Sequence, residues 1–345
     1  MGEIDTLLHA ASACEASGEP YALATVVRVR GSSYRRPGAR MLVPRAGEPV
    51  GVISGGCLES EAVQLARDAL ASGHVQLGTI DHSAEGDEVW GSGLGCRGVI
   101  DILVEPPALA ARTVEALRAA REHGATAYLL TSLPDGARRA LGERQARALG
   151  PDADGAVHAA RPTLLNDSVL DPIAPPPHLV ICGAAPDAEA LVGAASRVGW
   201  RVTVADARRG AFDAPGIASA GRCDAEPRQA AEAIGVDRRT VAVFMSHDYL
   251  RDGEYLAGFL GRGAAYLGVL GPRERTERLL AELARSGVTP SDQDRSVLHA
   301  PAGLDIGADG PEEVATAVVA EILAVLHGHS GGHLADRPGP IHRAR

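Results

Sequence analysis

The sequence has very few aromatic residues. Phe, Trp and Tyr together make up 3% of its 345 residues, so any core must be built from Ala, Val, Leu and Ile. Cysteine is scarcer still. Cys14, Cys57, Cys96, Cys182 and Cys223 are the full set of five, and no two of them form a CxxC pair. An odd, sparse set fits a reducing cytoplasm better than a disulfide framework, and the missing pairs argue against a zinc ribbon. A surplus of positive charge is also lacking. Against 34 Lys and Arg stand 44 Asp and Glu, a net charge of −10, which excludes a general nucleic-acid or membrane-surface binder. The longest apolar runs are broken by Arg, Glu or Gly, so no membrane span is expected. No basic stretch followed by an apolar one opens the chain, and a signal peptide is not expected either.

What is present is an ordinary globular composition, 45% apolar and 23% charged, in a chain long enough for two domains with separate cores. Two stretches stand out. Val52-Ile53-Ser54-Gly55-Gly56-Cys57-Leu58-Glu59 and Gly93-Leu94-Gly95-Cys96-Arg97-Gly98 each set one cysteine among glycines. Residues 50–53 read as a short buried strand, and the apolar spacing from Leu58 to Ser72 predicts a helix that Gly73 ends. Cys57 then falls at a helix N-terminus, where unpaired N–H groups favour a thiolate, although Glu59 and Glu61 oppose the effect. Burial as a small hydrophobe is the ordinary fate of a free cysteine. Gly55-Gly56, however, lets the backbone approach a ligand closely, which burying sulfur does not require. Both readings stand for Cys57 and Cys96.

The first part of the chain predicts a helix over 4–17, strands over 21–30, 41–43, 75–81 and 99–104, a helix over 109–123, a strand over 126–131 and a hairpin turn at Gly136. The loop from Gly31 to Arg40 is rich in Gly, Ser, Pro and Arg. With Arg28, Arg30, Arg35, Arg36 and Arg40 it concentrates positive charge in an acidic protein. Guanidinium forks suit phosphate and carboxylate oxygens, so the loop is either an anion site or a solvated loop paired with surface acids. His82, Glu85, Asp87 and Cys96 could be drawn as a metal site, but an irregular acidic loop explains them as well.

Residues 151–177 are rich in Pro, Asp and Ala and end in Ala-Pro-Pro-Pro; they are expected to be a linker between a domain over 1–150 and a second over 178–328. The second domain alternates strands over 178–182, 201–205, 240–244 and 264–270 with helices over 186–198, 273–285 and 311–326, among others. Such alternation predicts a doubly wound parallel sheet. The fold class expected is therefore α/β: an N-terminal α+β domain followed by a Rossmann-like domain. Residues 329–345 read as a disordered tail whose histidines bind metal only adventitiously.

The first βα turn of the second domain, Gly183-Ala184-Ala185-Pro186-Asp187-Ala188, has Ala185 and Ala188 where a dinucleotide fingerprint has glycines. A methyl at Ala185 and the charge of Asp187 both oppose a pyrophosphate. Asp206, at the end of the second strand, is placed for a ribose hydroxyl. Ser246, His247 and Asp248 follow the third strand, and Gly271, Arg273 and Arg275 stand at a helix start. That edge is where open α/β sheets bind ligands; helix capping is the plain alternative for Asp248.

These motifs, in this order, resemble the XdhC/CoxI family of xanthine dehydrogenase accessory proteins. The resemblance spans nearly the whole chain. It rests on Gly31-Ser32-Ser33 with Pro37 to Met41, on Ser54 to Glu59, on Gly93 to Cys96, on His178 to Ala185, on Val204 to Arg208, on Ser246-His247-Asp248, on Tyr266 to Gly271 and on Gly303 to Ala308. It implies a chaperone that binds molybdenum cofactor, aids its sulfuration and delivers it to a xanthine dehydrogenase-like molybdenum hydroxylase. A cysteine desulfurase and a second copy of the chain are further expected partners. By motif, Cys57 and Cys96 are the contacts to the cofactor's molybdenum or its sulfur. Arg35, Arg36, Arg40, Ser54, Gly55 and Gly56 are further candidate contacts, as are Gly183, Asp206, His247 and Asp248 in the second domain. Arg97, and Ala185 with Ala188, depart from the family pattern. Two rivals remain: an NAD(P)-dependent oxidoreductase using the second domain, and a thiol redox enzyme whose Cys57 and Cys96 must come within about 6 Å between Cα atoms.

Overall fold

The structure, a computed structural model, describes residues 2–31, 33–54, 59–81, 98–208 and 210–337. The described chain forms two compact units, residues 3–175 and residues 176–337 with Gly2.

The first unit runs α1 (Glu3–Ser17), β1 (Tyr21–Gly31), β2 (Arg40–Pro44), β3 (Val50–Gly51), α2 (Glu59–Ser72), β4 (Gln76–Asp81), β5 (Gly98–Glu105), α3 (Pro107–His123), β6 (Ala127–Ser132), β7 (Arg138–Leu141), α4 (Glu143–Arg147), α5 (Pro151–Ala159), β8 (Thr163–Leu165) and β9 (Ser168–Ile173). Five strands form an antiparallel sheet in the order β3-β2-β1-β5-β4, and four form a second in the order β7-β6-β9-β8. Strand β1 is buried from Tyr21 to Val27 because both of its faces are covered. Ala22, Ala24 and Val26 pack with Ala62, Ala66 and Ala69 of α2. Tyr21 and Leu23, the alternate positions, pack with Leu7 and Ala11 of α1 and Val114 of α3. Small alanines at the helix contacts let α2 lie close to the sheet, which suits a core short of aromatic rings.

The expected linker over 151–177 is folded instead. Pro151 stands at the start of α5 with Asp152 and Asp154 in its first turn, the composition of a helix N-terminus rather than of a spacer. Ala153, Ala156 and Val157 give that helix a buried face against Tyr128, Leu130 and Leu170. Strand β9 lies inside the second sheet between β6 and β8. The division between the units falls at Pro175 and Pro176, close to the end of the Pro run.

The second unit runs β10 (His178–Cys182), α6 (Ala188–Arg197), β11 (Arg201–Ala205), β12 (Gly221–Cys223), α7 (Ala230–Ile234), β13 (Thr240–Phe244), α8 (Tyr249–Phe259), β14 (Tyr266–Val269), α9 (Arg273–Arg285), α10 (Asp292–Ser296), β15 (Leu298–His299) and α11 (Pro311–His327). All six strands are parallel, in the order β12-β11-β10-β13-β14-β15. This is the doubly wound Rossmann arrangement, and chain order reverses between β10 and β13. Leu179, Ile181, Val241 and Val243 face α6 and α11, while Val180, Cys182, Ala242 and Phe244 face α7, α8 and α9. Burial on both faces explains why these strands are continuous apolar runs. Of the residues expected as tail, 334–336 form one 3-10 turn; residues 338–345 lie outside the described ones.

Candidate functional site

Cys57, Cys96, Gly55 and Gly56 lie outside the described residues, as do His82, Glu85 and Asp87. The residues that flank them are described. Strand β1 ends at Gly31, opposite Gly98, the first described residue after Cys96. Asp81, the last before that stretch, pairs with Val99, whose other neighbour is Arg30. Strand β2 enters the sheet from this end and β3 runs back toward it, since Met41 pairs with Gly51 and Leu42 with Val50. Gly31, Arg40, Gly51, Asp81 and Gly98 are therefore the strand ends that face one end of the sheet. Gly51 (φ 108°) makes the last step possible: a Cβ there would lie 2.3 Å from the Arg40 carbonyl oxygen. Beyond it the two flanks of Cys57 are tied together. The amide of Ser54 donates to Glu59 Oε1 at 3.0 Å and its hydroxyl to Oε2 at 2.6 Å.

The arginines divide by partner. Arg40 is 5% exposed; its Nη2 donates to both oxygens of Asp171 in β9, at 2.8 and 2.7 Å, and its Nη1 to the Thr25 hydroxyl. It joins the two sheets of the unit, and this geometry speaks against the expected anion contact. Arg35 donates to Glu3 in α1 at 2.6 Å. Arg36 also has partners. Arg28 and Arg30, with side chains 44% and 51% exposed, both pair with Asp101, which is 1% exposed and also accepts from Thr79. Two guanidinium groups thus share one carboxylate on a face of the sheet, at the end where Gly31 and Gly98 meet.

Two of the three described cysteines are poor thiolates. Cys14 is half-buried, and desolvation with nearby Glu19 and Glu15 pushes its thiol up. Cys182 lies in the core, where burial raises its thiol well above the usual value. Cys223 is buried beside it in the same cluster.

In the second unit the structure does bring Gly183, Asp206, His247 and Asp248 to one edge, the carboxyl ends of β10, β11 and β13. Gly183 (φ 112°) passes so near the next turn that a Cβ would lie 2.4 Å from the Ser246 Cα, so its freedom serves packing between turns. Asp206 is 1% exposed. It accepts from the Ala184 amide at 2.9 Å, the Arg208 amide at 2.9 Å and the Arg208 guanidinium at 2.6 Å. Burial raises its pKa, but these bonds outweigh burial and hold the carboxyl below its usual range. Its oxygens are thus committed within the protein, not offered to a ribose. Asp248 caps α8, accepting from the Leu250 and Arg251 amides. His247, at φ 57°, places Nε2 2.8 Å from Asp187 Oδ2. Behind this edge Asp252 accepts from the Ser246 hydroxyl at 2.6 Å and from Arg275 at 2.7 Å, so the Ser246 turn is fixed from below. Arg275 also lies over the Tyr249 ring, 5.6 Å from its centroid.

The turn does not fit a pyrophosphate. Its Ala184 amide already donates to Asp206, and Asp187 brings a carboxylate to the start of α6. Sequence reasoning found these residues but missed the roles of Asp101, Asp171, Arg208 and Asp252. Only Arg208 had a local signal, standing two positions from Asp206. Among the described residues, no cluster of three or more His, Cys, Asp or Glu could hold a metal ion, and no helix is long and apolar enough to cross a membrane.

An α+β unit followed by a Rossmann unit, with glycine-set cysteine motifs in the first, defines the class. Residues 179–322 match the XdhC Rossmann domain, and residues 14–81 match the XdhC and CoxI family. A Bacillus subtilis protein described as a probable xanthine dehydrogenase subunit is 31% identical over 94% of this chain and 97% of its own. The chain belongs to the XdhC and CoxI family. It is also 26% identical to the Escherichia coli molybdenum cofactor insertion chaperone PaoD, over 93% of this chain and 89% of that protein. A crystal structure described as a xanthine dehydrogenase from Bacillus halodurans covers 98% of both chains with a TM-score of 0.73 and 27% identity.

Proposed function

We propose that this protein is a carrier of molybdenum cofactor, acting in the cytoplasm to aid the cofactor's sulfuration and its insertion into a xanthine dehydrogenase-like hydroxylase. The observation that carries the reading is similarity along nearly the whole chain, through both units, to a protein described as a molybdenum cofactor insertion chaperone. The first unit's architecture supports it. The described residues that flank both cysteine-bearing stretches and the arginine loop end their strands at one end of one sheet. Raised thiols make Cys14 and Cys182 unsuited to thiolate chemistry and Cys223 is buried in the core, which favours Cys57 and Cys96 for that work. A soft thiolate suits molybdenum or a transferable sulfur, and the paired guanidiniums of Arg28 and Arg30 suit a pterin phosphate. A cysteine desulfurase is the expected sulfur donor, and a second copy of the chain a further partner.

The occupied Ala184 amide and the Asp187 carboxylate weigh against a dehydrogenase built on the second unit. The test is reconstitution of an inactive, cofactor-free hydroxylase with the cofactor-loaded carrier. Cys57→Ala and Cys96→Ala, each folded as judged by circular dichroism, are expected to deliver little active enzyme. Full activation by both single variants and by the double variant would overturn the reading.

A further inference from the structure

The second unit contains a cavity of about 150 Å³ that none of the roles above uses. It opens at the carboxyl edge of the parallel sheet, between the start of α6, the ends of β13 and β14, and the first turns of α11. Leu191, Met245, Leu270, Val314 and Val318 give it apolar walls, and Asp187 and Asp309 are its two acidic residues. Asp187 has one oxygen fixed and one orphaned. His247 holds Oδ2 at 2.8 Å, whereas Oδ1 is buried with no hydrogen-bond partner among the described residues. A buried carboxylate oxygen without a donor costs on the order of 1–3 kcal/mol. His247 is one of two described non-glycine residues with positive φ, and such backbone conformations gather where a ligand is positioned.

Each feature narrows the occupant. Two carboxylates exclude a phosphate or another anion. Apolar walls around so few oxygens exclude a hard metal ion, which needs about six oxygen ligands. A purely aliphatic guest would leave Oδ1 without a donor. A volume of this size holds one small aromatic ring system, and the Met245 thioether and branched aliphatic side chains suit its faces. We propose that the cavity binds a planar nitrogen heterocycle through a 2-amino-4-oxopyrimidine edge, with Asp187 accepting its ring N–H and exocyclic NH2. His247, donating from Nε2, is the positioning residue that orients the carboxylate. The residue that spoils the turn for a pyrophosphate is then the one that recognises the ring. Pterins and guanine share this edge. The pterin alternative rests on the carrier function proposed above; the guanine alternative does not.

The test is calorimetric titration of the full-length chain with 6-hydroxymethylpterin and with guanosine monophosphate. The controls are 6-hydroxymethyllumazine and inosine monophosphate, which lack the 2-amino group. Preference for the pterin over its control identifies a pterin site, and preference for guanosine over inosine monophosphate a nucleotide site. Asp187→Asn is expected to weaken binding by about tenfold to hundredfold, the effect of losing a hydrogen bond to a charged acceptor. Val314→Phe, which fills the cavity from α11, is expected to abolish it, with the unfolding midpoint followed for both variants. No binding at millimolar concentration, equal binding of the controls, or binding unchanged in both variants would overturn the proposal. Such a failure leaves the carrier function standing, because that function is read from Cys57, Cys96 and hydroxylase activation.

Discussion

Arg40 and Asp171 are 131 positions apart in the chain, and the guanidinium of one lies within 2.8 Å of both carboxylate oxygens of the other. The pair is buried, with side chains 5% and 8% exposed, and joins the sheet beside the arginine loop to the sheet that carries β9. Removing one partner strands a charge. Arg40→Met or Asp171→Leu alone is expected to cost the first unit about 3–5 kcal/mol, and the double variant to recover much of that loss. Urea unfolding of the three variants checks this, and additive losses in the double variant would contradict it.

Gly183→Ala is expected to destabilise the second unit by about 3 kcal/mol or more, because overpacking adds to an unfavourable φ. The added methyl would sit 2.4 Å from the Ser246 Cα, a backbone atom that cannot swing aside. Denaturation followed by tryptophan fluorescence in a Trp90→Phe background, which leaves buried Trp200 as the sole tryptophan, reports on that unit.

His178 gives the protein a predictable response to acid. It is 6% exposed, and burial together with the nearby Arg201 lowers its pKa to about 4. Arg201 donates to Nδ1 at 2.7 Å, so the neutral ring accepts there and donates from Nε2 to the Thr203 hydroxyl at 2.8 Å. Between pH 6.5 and about 4 the unfolded chain binds the proton that the folded chain refuses. Stability from this group is full above 6.5 and falls with pH across that window, by about 3 kcal/mol in all. His178→Gln is expected to remove this part of the slope of unfolding free energy against pH. An unchanged slope would show that the ring does not titrate this way.

The Rossmann unit was legible because parallel strands buried on both faces leave dense apolar runs. The spans 178–182, 201–205 and 240–244 are the same in sequence and structure. β12 and β15 were not legible. Gly221–Cys223 and Leu298–His299 are too short for a period, and the first two residues of β12 are exposed. The folded stretch over 151–173 was hidden by its Pro and Asp content, which serves a linker and a helix start equally well. Clustering of Gly183, Asp206 and His247 followed from the topology, whereas their partners did not. Nothing local tells Arg40 that Asp171 will meet it, or tells Asp206 that the Ala184 amide will bond to it. Ion pairs and turn-to-turn bonds are set by tertiary placement, and a sequence window records only the presence of a charge.

The most direct measurement is the metal and pterin content of the purified chain, isolated in parallel from cells able and unable to synthesise molybdenum cofactor. Elemental analysis for molybdenum and fluorescence of the oxidised pterin give the two readings. The expected result is both signals, in equal molar amounts, from the competent cells only, with each falling in the Cys57→Ala and Cys96→Ala variants. Absence of both signals from the chain made in competent cells would contradict the carrier function.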